Sequence, residues 1–194
     1  MSTLDRIVER WNLQQHPFYT AWSAGTLPAS ALRRYAAEWG AFIGAVPAGW
    51  RTLGEDAHAT EEVEHAALWG EFAADLGVAV RAEPEGEASR ALVATAQRLF
   101  AEPATAIGAL FAFEAQQPLT AEAKLRGLNE HYASLGTPGR YFAVHADDYG
   151  EAAMLREMAS ALPPSQRQRA ESACAEMGEA LWTGLSGVQE TAAC

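Results

Sequence analysis

His58, Glu61, Glu62 and His65 stand at i, i+3, i+4 and i+7. In a helix turning about 100° per residue they share one stripe. Imidazole nitrogens and carboxylate oxygens are ligands for transition metals, and both move protons. Leu68, Trp69, Phe72, Leu76 and Val78 continue the segment 58–78 as an apolar surface, so the polar stripe adjoins buried packing, where chemistry is usually placed. The same residues also read more plainly, with Glu61, Glu62 and Glu64 as solvated charges and His65 as an ordinary partly buried histidine.

Helices must position these groups, because no segment alternates as a half-buried strand does and apolar residues recur every three or four positions. Leu4 to Leu13 predicts a short helix capped by Ser2 or Thr3, and Pro17 starts a second that ends near Gly25. A longer one runs from Pro28 through Trp39 to Val46, where Pro47 kinks or ends it. Residues 81–87 read as an exposed loop. Ala88 to Phe100 is helical, and Pro103 opens a helix through Glu114 that Pro118 bends on its way to about Tyr132. After a turn over 136–139, one helix carries Tyr141 through Asp148 to Met158. Pro163-Pro164 breaks the chain, and Gln166 to Leu185 closes it before a frayed tail, 185–194. The expectation is a single all-α bundle over residues 1–194.

Six tryptophans and 49% hydrophobic residues exclude general disorder, and no apolar run approaches the roughly 20 residues of a membrane span. A net charge of −11 argues against nucleic acid and anionic membrane as partners. The opening MSTLDRIVERWNLQQ has no secretory apolar run, and Cys174 and Cys194 are too few for a disulfide framework. Both features predict a reduced, cytoplasmic setting.

Four segments, HPFYTAWSAGTLPASALRRYAAEW (16–39), EEVEHAALWGEFAADLGV (61–78), LFAFEAQQPLTAEAKLRGLNEHY (110–132) and YFAVHADDYGEAAM (141–154), occur in an order and spacing that resembles the TenA/PqqC-like, heme-oxygenase-fold superfamily, closest to its CADD branch. The resemblance implies a helical bundle with a small ligand or metal site inside, and dimers. In the oxidase-like branch it implies a dinuclear iron site. His65, Glu114 and His145 match ligands of that pattern. Three positions depart from it: His58 stands where a carboxylate is expected, and Tyr149 and Ala152 stand where an acid and a histidine are expected.

The matched residues make a two-histidine, one-carboxylate site for one iron or manganese ion rather than two. His58 is an additional ligand or proton acceptor, Glu62 lies on its face, and Asp148 or Glu151 can substitute for a missing ligand. The CADD branch also implies a reacting tyrosine and a lysine ten residues beyond the middle glutamate, here Tyr19 and Lys124. The activity so implied is oxygen-dependent formation of para-aminobenzoate, a folate precursor, from the protein's own tyrosine, with the lysine as amino donor. Dioxygen and a small aromatic or amino-acid-derived molecule are the expected partners. Two other readings remain at this level: a cofactorless PqqC-like ring oxidation using histidines, Tyr149, Lys124 and arginines, and a metal-free binding protein with a degenerate site. TenA-like hydrolysis is disfavoured, because neither cysteine occupies the segment a nucleophile needs.

Overall fold

The computed structural model describes residues 2–191, and Cys194 lies outside them. The described residues contain helices and no strand. Helix α1 (Thr3–Arg10) starts on a capping box in which the Ser2 hydroxyl accepts from the Asp5 amide (3.1 Å) and the Asp5 carboxylate accepts from the Ser2 amide (2.6 Å). It stops before Trp11, and Leu13–Gln15 forms a separate 3-10 turn capped by Asn12, so the helix expected over 4–13 is two pieces. Helix α2 (Pro17–Ser23) is capped by His16, whose Nδ1 accepts from the Phe18 amide at 3.0 Å. Gly25, at φ +68°, then reverses the chain.

Helices α3 (Ala29–Ile43) and α4 (Val46–Thr52) follow, and Pro47 occupies the first turn of α4 rather than ending α3. Next come α5 (Asp56–Asp75) and α6 (Glu87–Leu99). The loop between them is held from below, since buried Glu38 accepts from the Glu85 and Gly86 amides at 3.2 and 3.0 Å. Helix α7 (Pro103–Glu114) and helix α8 (Gln117–His131) are distinct, with the break at Ala115–Gln116 and Pro118 again inside a first turn. The last expected internal helix is also two, α9 (Arg140–His145) and α10 (Gly150–Ala161), separated by residues 146–149. The closing helix α11 (Pro164–Thr191) includes residues 185–191 of the tail expected to fray, and 192–194 lie outside the described residues.

Helix α7 is the centre of the bundle. Its residues from Ala106 to Glu114 are all buried, as a helix apolar on every side must be. It meets α11 closely at Gly108, where an added Cβ would lie 1.8 Å from the Ala170 carbonyl oxygen. Backbone cannot yield there as a flexible side chain can. Gly108→Ala is therefore expected to lose at least about 2 kcal/mol of stability, read as a fall in the urea midpoint. Around α7 lies one apolar cluster whose largest members include Trp22, Tyr35, Trp69 and Phe142. No described helix is long and apolar enough to cross a membrane.

Candidate metal centre

Four helices bring five donor side chains to one end of this core. Helix α5 supplies Glu62 and His65, α7 supplies Glu114 at its last turn, α9 supplies His145, and α10 supplies Glu151 in its first turn. Glu62, His65 and His145 each offer one ligand atom within 4.8 Å of the others, and so do Glu62, Glu114 and Glu151. Glu62 belongs to both groups. His65 and His145 meet edge to face at 4.3 Å between ring centroids, and His65 Nδ1 lies 2.8 Å from Glu62 Oε1.

Three of the five are carboxylates, almost wholly shielded from water: Glu62, Glu114 and Glu151 are 0, 2 and 6% exposed. Burial, then the neighbouring Glu151 and Glu62, raises the Glu114 carboxyl well above the usual range. Burial, then Glu62 and Asp148, pushes Glu151 up to about 8. Burial pulls His65 down, but the hydrogen bond and charge of Glu62 outweigh it and the net shift is upward. His145 is lowered to about 4, by burial before all else, so its ring is neutral at pH 7. Its Nδ1 then donates to the Tyr141 carbonyl at 2.6 Å, which leaves the Nε2 lone pair facing the cluster.

Several of these atoms have no hydrogen-bond partner: Glu62 Oε2, both oxygens of Glu114 and His145 Nε2. Buried polar atoms are almost always paired, and grouped buried carboxylates without a cation are costly. A divalent cation answers both problems, since it takes the orphaned lone pairs and neutralises the charge. Carboxylate and imidazole donors together suit iron or manganese.

Beside the donors lies a narrow internal cavity with room for about one water. Among its walls are Tyr19, Tyr35, Trp69, Gln117, Lys124 and Tyr141. Tyr19 and Tyr35 hydroxyls are 3.2 Å apart. Lys124 is buried and its Nζ lies 4.8 Å from the Tyr19 ring centroid, 5.1 Å from that of Phe142 and 5.5 Å from that of Tyr35. Those aromatic faces offset part of the cost of burying a cation. The rest appears as burial lowering the ammonium to about 7. Burial likewise raises the Tyr19 phenol.

Residues 30–184 match a family described as iron-containing redox enzymes. The chain belongs to that family. The 4-aminobenzoate synthase of Chlamydia pneumoniae is 30% identical over 214 residues, covering 98% of this chain and 96% of that protein. The protein of that name from Nitrosomonas europaea is also 30% identical, over 96% of this chain and 89% of its own. Among solved structures, a TenA homologue from P. horikoshii superposes with a TM-score of 0.76 at 13% identity, over 96% of each chain. A CADD-like protein from Nostoc punctiforme does so with 0.64 at 16%, over 98% of this chain and 96% of that one. These confirm the all-α TenA-like bundle.

In this member of the iron-containing redox enzyme family, the structure brings together five of the residues named from the sequence as ligands or substitute ligands: Glu62, His65, Glu114, His145 and Glu151. It keeps three other expected site residues apart. His58 shares the stripe of Glu62 but its ring stacks on Trp50 of α4 at 4.9 Å, and its Nδ1 is 3.7 Å from Glu55, beyond hydrogen-bond reach. It belongs to neither donor group. Asp148 stands nearby and accepts from the Gly150 amide at 3.1 Å, which turns the chain just before α10. Tyr149 is 56% exposed. Glu151 takes the place that Asp148 was expected to share with it, because the break at 146–149 resets the helical phase of everything after His145.

Proposed function

We propose that this chain is an iron-dependent oxidase that forms 4-aminobenzoate from its own Tyr19, with Lys124 as the amine and dioxygen as co-substrate. The observation that carries the reading is the buried Lys124 amine against the Tyr19 ring, on a narrow cavity that Tyr141 also lines, in a chain 30% identical to proteins named 4-aminobenzoate synthase. Glu62, His65 and His145 would hold one ion, and Glu62, Glu114 and Glu151 a second. Iron held there supplies one-electron oxidation and dioxygen reduction.

The chain's own residues do the remaining work. Burial deprotonates a substantial share of Lys124 at neutral pH, and only that free amine has a lone pair to give. The Tyr35 hydroxyl holds the Tyr19 phenol in place. Packing on Phe18, whose ring centroid is 5.6 Å from that of Tyr19 and 5.0 Å from that of Tyr35, keeps the reacting ring from rotating away. The core excludes bulk water from all of them.

The test is to load purified protein with ferrous iron, admit air, and follow both 4-aminobenzoate and the peptides carrying residues 19 and 124 by mass spectrometry. Product should appear together with loss of the Tyr19 side-chain mass and a mass change at Lys124 that corresponds to loss of its amine nitrogen. Product formed equally after chelation, or with both peptides intact, would overturn the reading.

A further inference from the structure

On the oxidase reading, 4-aminobenzoate is cut from the backbone inside a space with room for about one water. An aromatic acid is far larger than that, so a wall has to move before it leaves. All but two of the lining residues belong to α-helices. The two are Leu13, in the 3-10 turn Leu13–Gln15, and Gln116, in the break between α7 and α8. They are bonded to each other. The Leu13 amide donates to Gln116 Oε1 at 2.8 Å, and Gln116 Nε2 is steadied by donating to the Ala112 carbonyl at 2.9 Å.

The wall is thin at this point. Leu13 is 3% exposed, but Gln14 and Gln15 beside it are exposed, and so is Leu119 across from them. One leucine side chain therefore stands between the cavity and solvent. The turn also holds its own shape: the Gln15 amide donates to the Asn12 carbonyl and the His16 amide to the Leu13 carbonyl, both at 3.0 Å, and Asn12 caps the Gln14 amide at 3.1 Å. Besides the bond to Gln116, the hydrogen bond that ties residues 12–15 to the bundle is an exposed one, Gln14 Nε2 to the Leu119 carbonyl at 3.0 Å.

Both ends of the turn are fixed on α11. Trp182 carries the Trp11 ring at 6.3 Å and the His16 ring edge-on at 4.6 Å, and His16 Nε2 pairs with Ser186 Oγ at 3.0 Å. Between these two anchors the turn swings out as a unit for the loss of two hydrogen bonds and the exposure of one leucine. A helical wall has no such freedom, because moving it unseats a whole apolar face. Local opening starts where the fewest contacts have to be given up.

We propose that the turn over residues 12–15 is the door of the cavity, with Leu13 as plug and Gln116 as latch, and that 4-aminobenzoate leaves through it. The inference rests on the oxidase reading above.

Lys124 reports the opening, since it is the only lysine in the sequence. Trinitrobenzenesulfonate is an anionic aromatic bulkier than 4-aminobenzoate, and it reacts with free amines. At pH 8 burial has already freed this amine, so access limits its labelling. Mass spectrometry of the peptide carrying residue 124 follows the reaction in iron-loaded protein kept free of oxygen. Leu13→Ala and Gln116→Ala should each label at least about tenfold faster than wild type. Ile43→Ala, which trims a wall carried by α3, should stay close to the wild-type rate. Once air is admitted, free 4-aminobenzoate should follow the loss of Tyr19 with a shorter delay in both door variants. Labelling no faster in them than in Ile43→Ala would overturn the door and leave the oxidase reading standing. Intact Tyr19 in wild-type protein after air is admitted would overturn that reading, and with it the use of the door. Should Leu13→Ala fail to fold, Gln116→Ala decides alone.

Discussion

Glu62→Ala should leave the protein with less than about a tenth of the iron that the wild type binds. The reason is that Glu62 is the one side chain common to both donor groups. Removing any other donor costs one group and spares the other. Glu114→Ala should therefore keep the ion held by Glu62, His65 and His145, and His145→Ala the ion held by the three carboxylates. The carboxylate at 62 also fixes His65 through the 2.8 Å contact to its Nδ1, so its loss frees that imidazole as well. His58→Ala, one turn away on the same stripe, should bind iron as the wild type does. Metal analysis of the four proteins, with circular dichroism to show that helix content is kept, checks the whole pattern. A Glu62→Ala protein with undiminished iron would remove the assignment of Glu62 to both donor groups.

Lys124→Met should end 4-aminobenzoate formation and, at the same time, make the fold more stable. Burial holds the ammonium at about 7 against its ordinary 10.5, a difference worth on the order of 5 kcal/mol. Between those two values the unfolded chain binds a proton that the folded chain does not, so wild-type stability rises with pH across the window. Below pH 7 both states are protonated and the full penalty is in force. The methionine variant should thus be the more stable protein by several kcal/mol at pH 6, with the gap closing as pH approaches 10. Urea unfolding at a series of pH values reads this directly. A variant less stable than wild type at pH 6 would mean that the aromatic faces of Tyr19, Tyr35 and Phe142 stabilise the cation more than burial penalises it.

Helical periodicity made the bundle legible, and prolines marked most of its joints. What periodicity did not resolve was phase after a hidden break. Residues 141–158 keep an apolar repeat across Asp147, Asp148 and Tyr149, so they read as one helix, and Glu151 then falls on the wrong side of it. The one local signal was Asp148 two residues before Gly150, a short acidic side chain placed to accept a following amide. Likewise, spacing put His58 and Glu62 on a common stripe, and that much is true of the helix. Which neighbour each leans on is decided by α4, whose Trp50 takes the His58 ring, and nothing in the 58–65 pattern carries that information. His65, Glu114 and His145 were legible only because resemblance linked three distant segments that local pattern cannot connect. Lys124 illustrates the reverse: flanked by Glu122 and Arg126 it looks like a solvated charge, and only tertiary burial makes it reactive.

The narrow void beside Lys124 has a consequence for supply. A space that admits one water admits dioxygen more readily than a free aromatic acid, so on the proposed reading the chain carries its own feedstock. Yield is then capped at one molecule for each polypeptide made, and output is metered by the ribosome instead of by turnover.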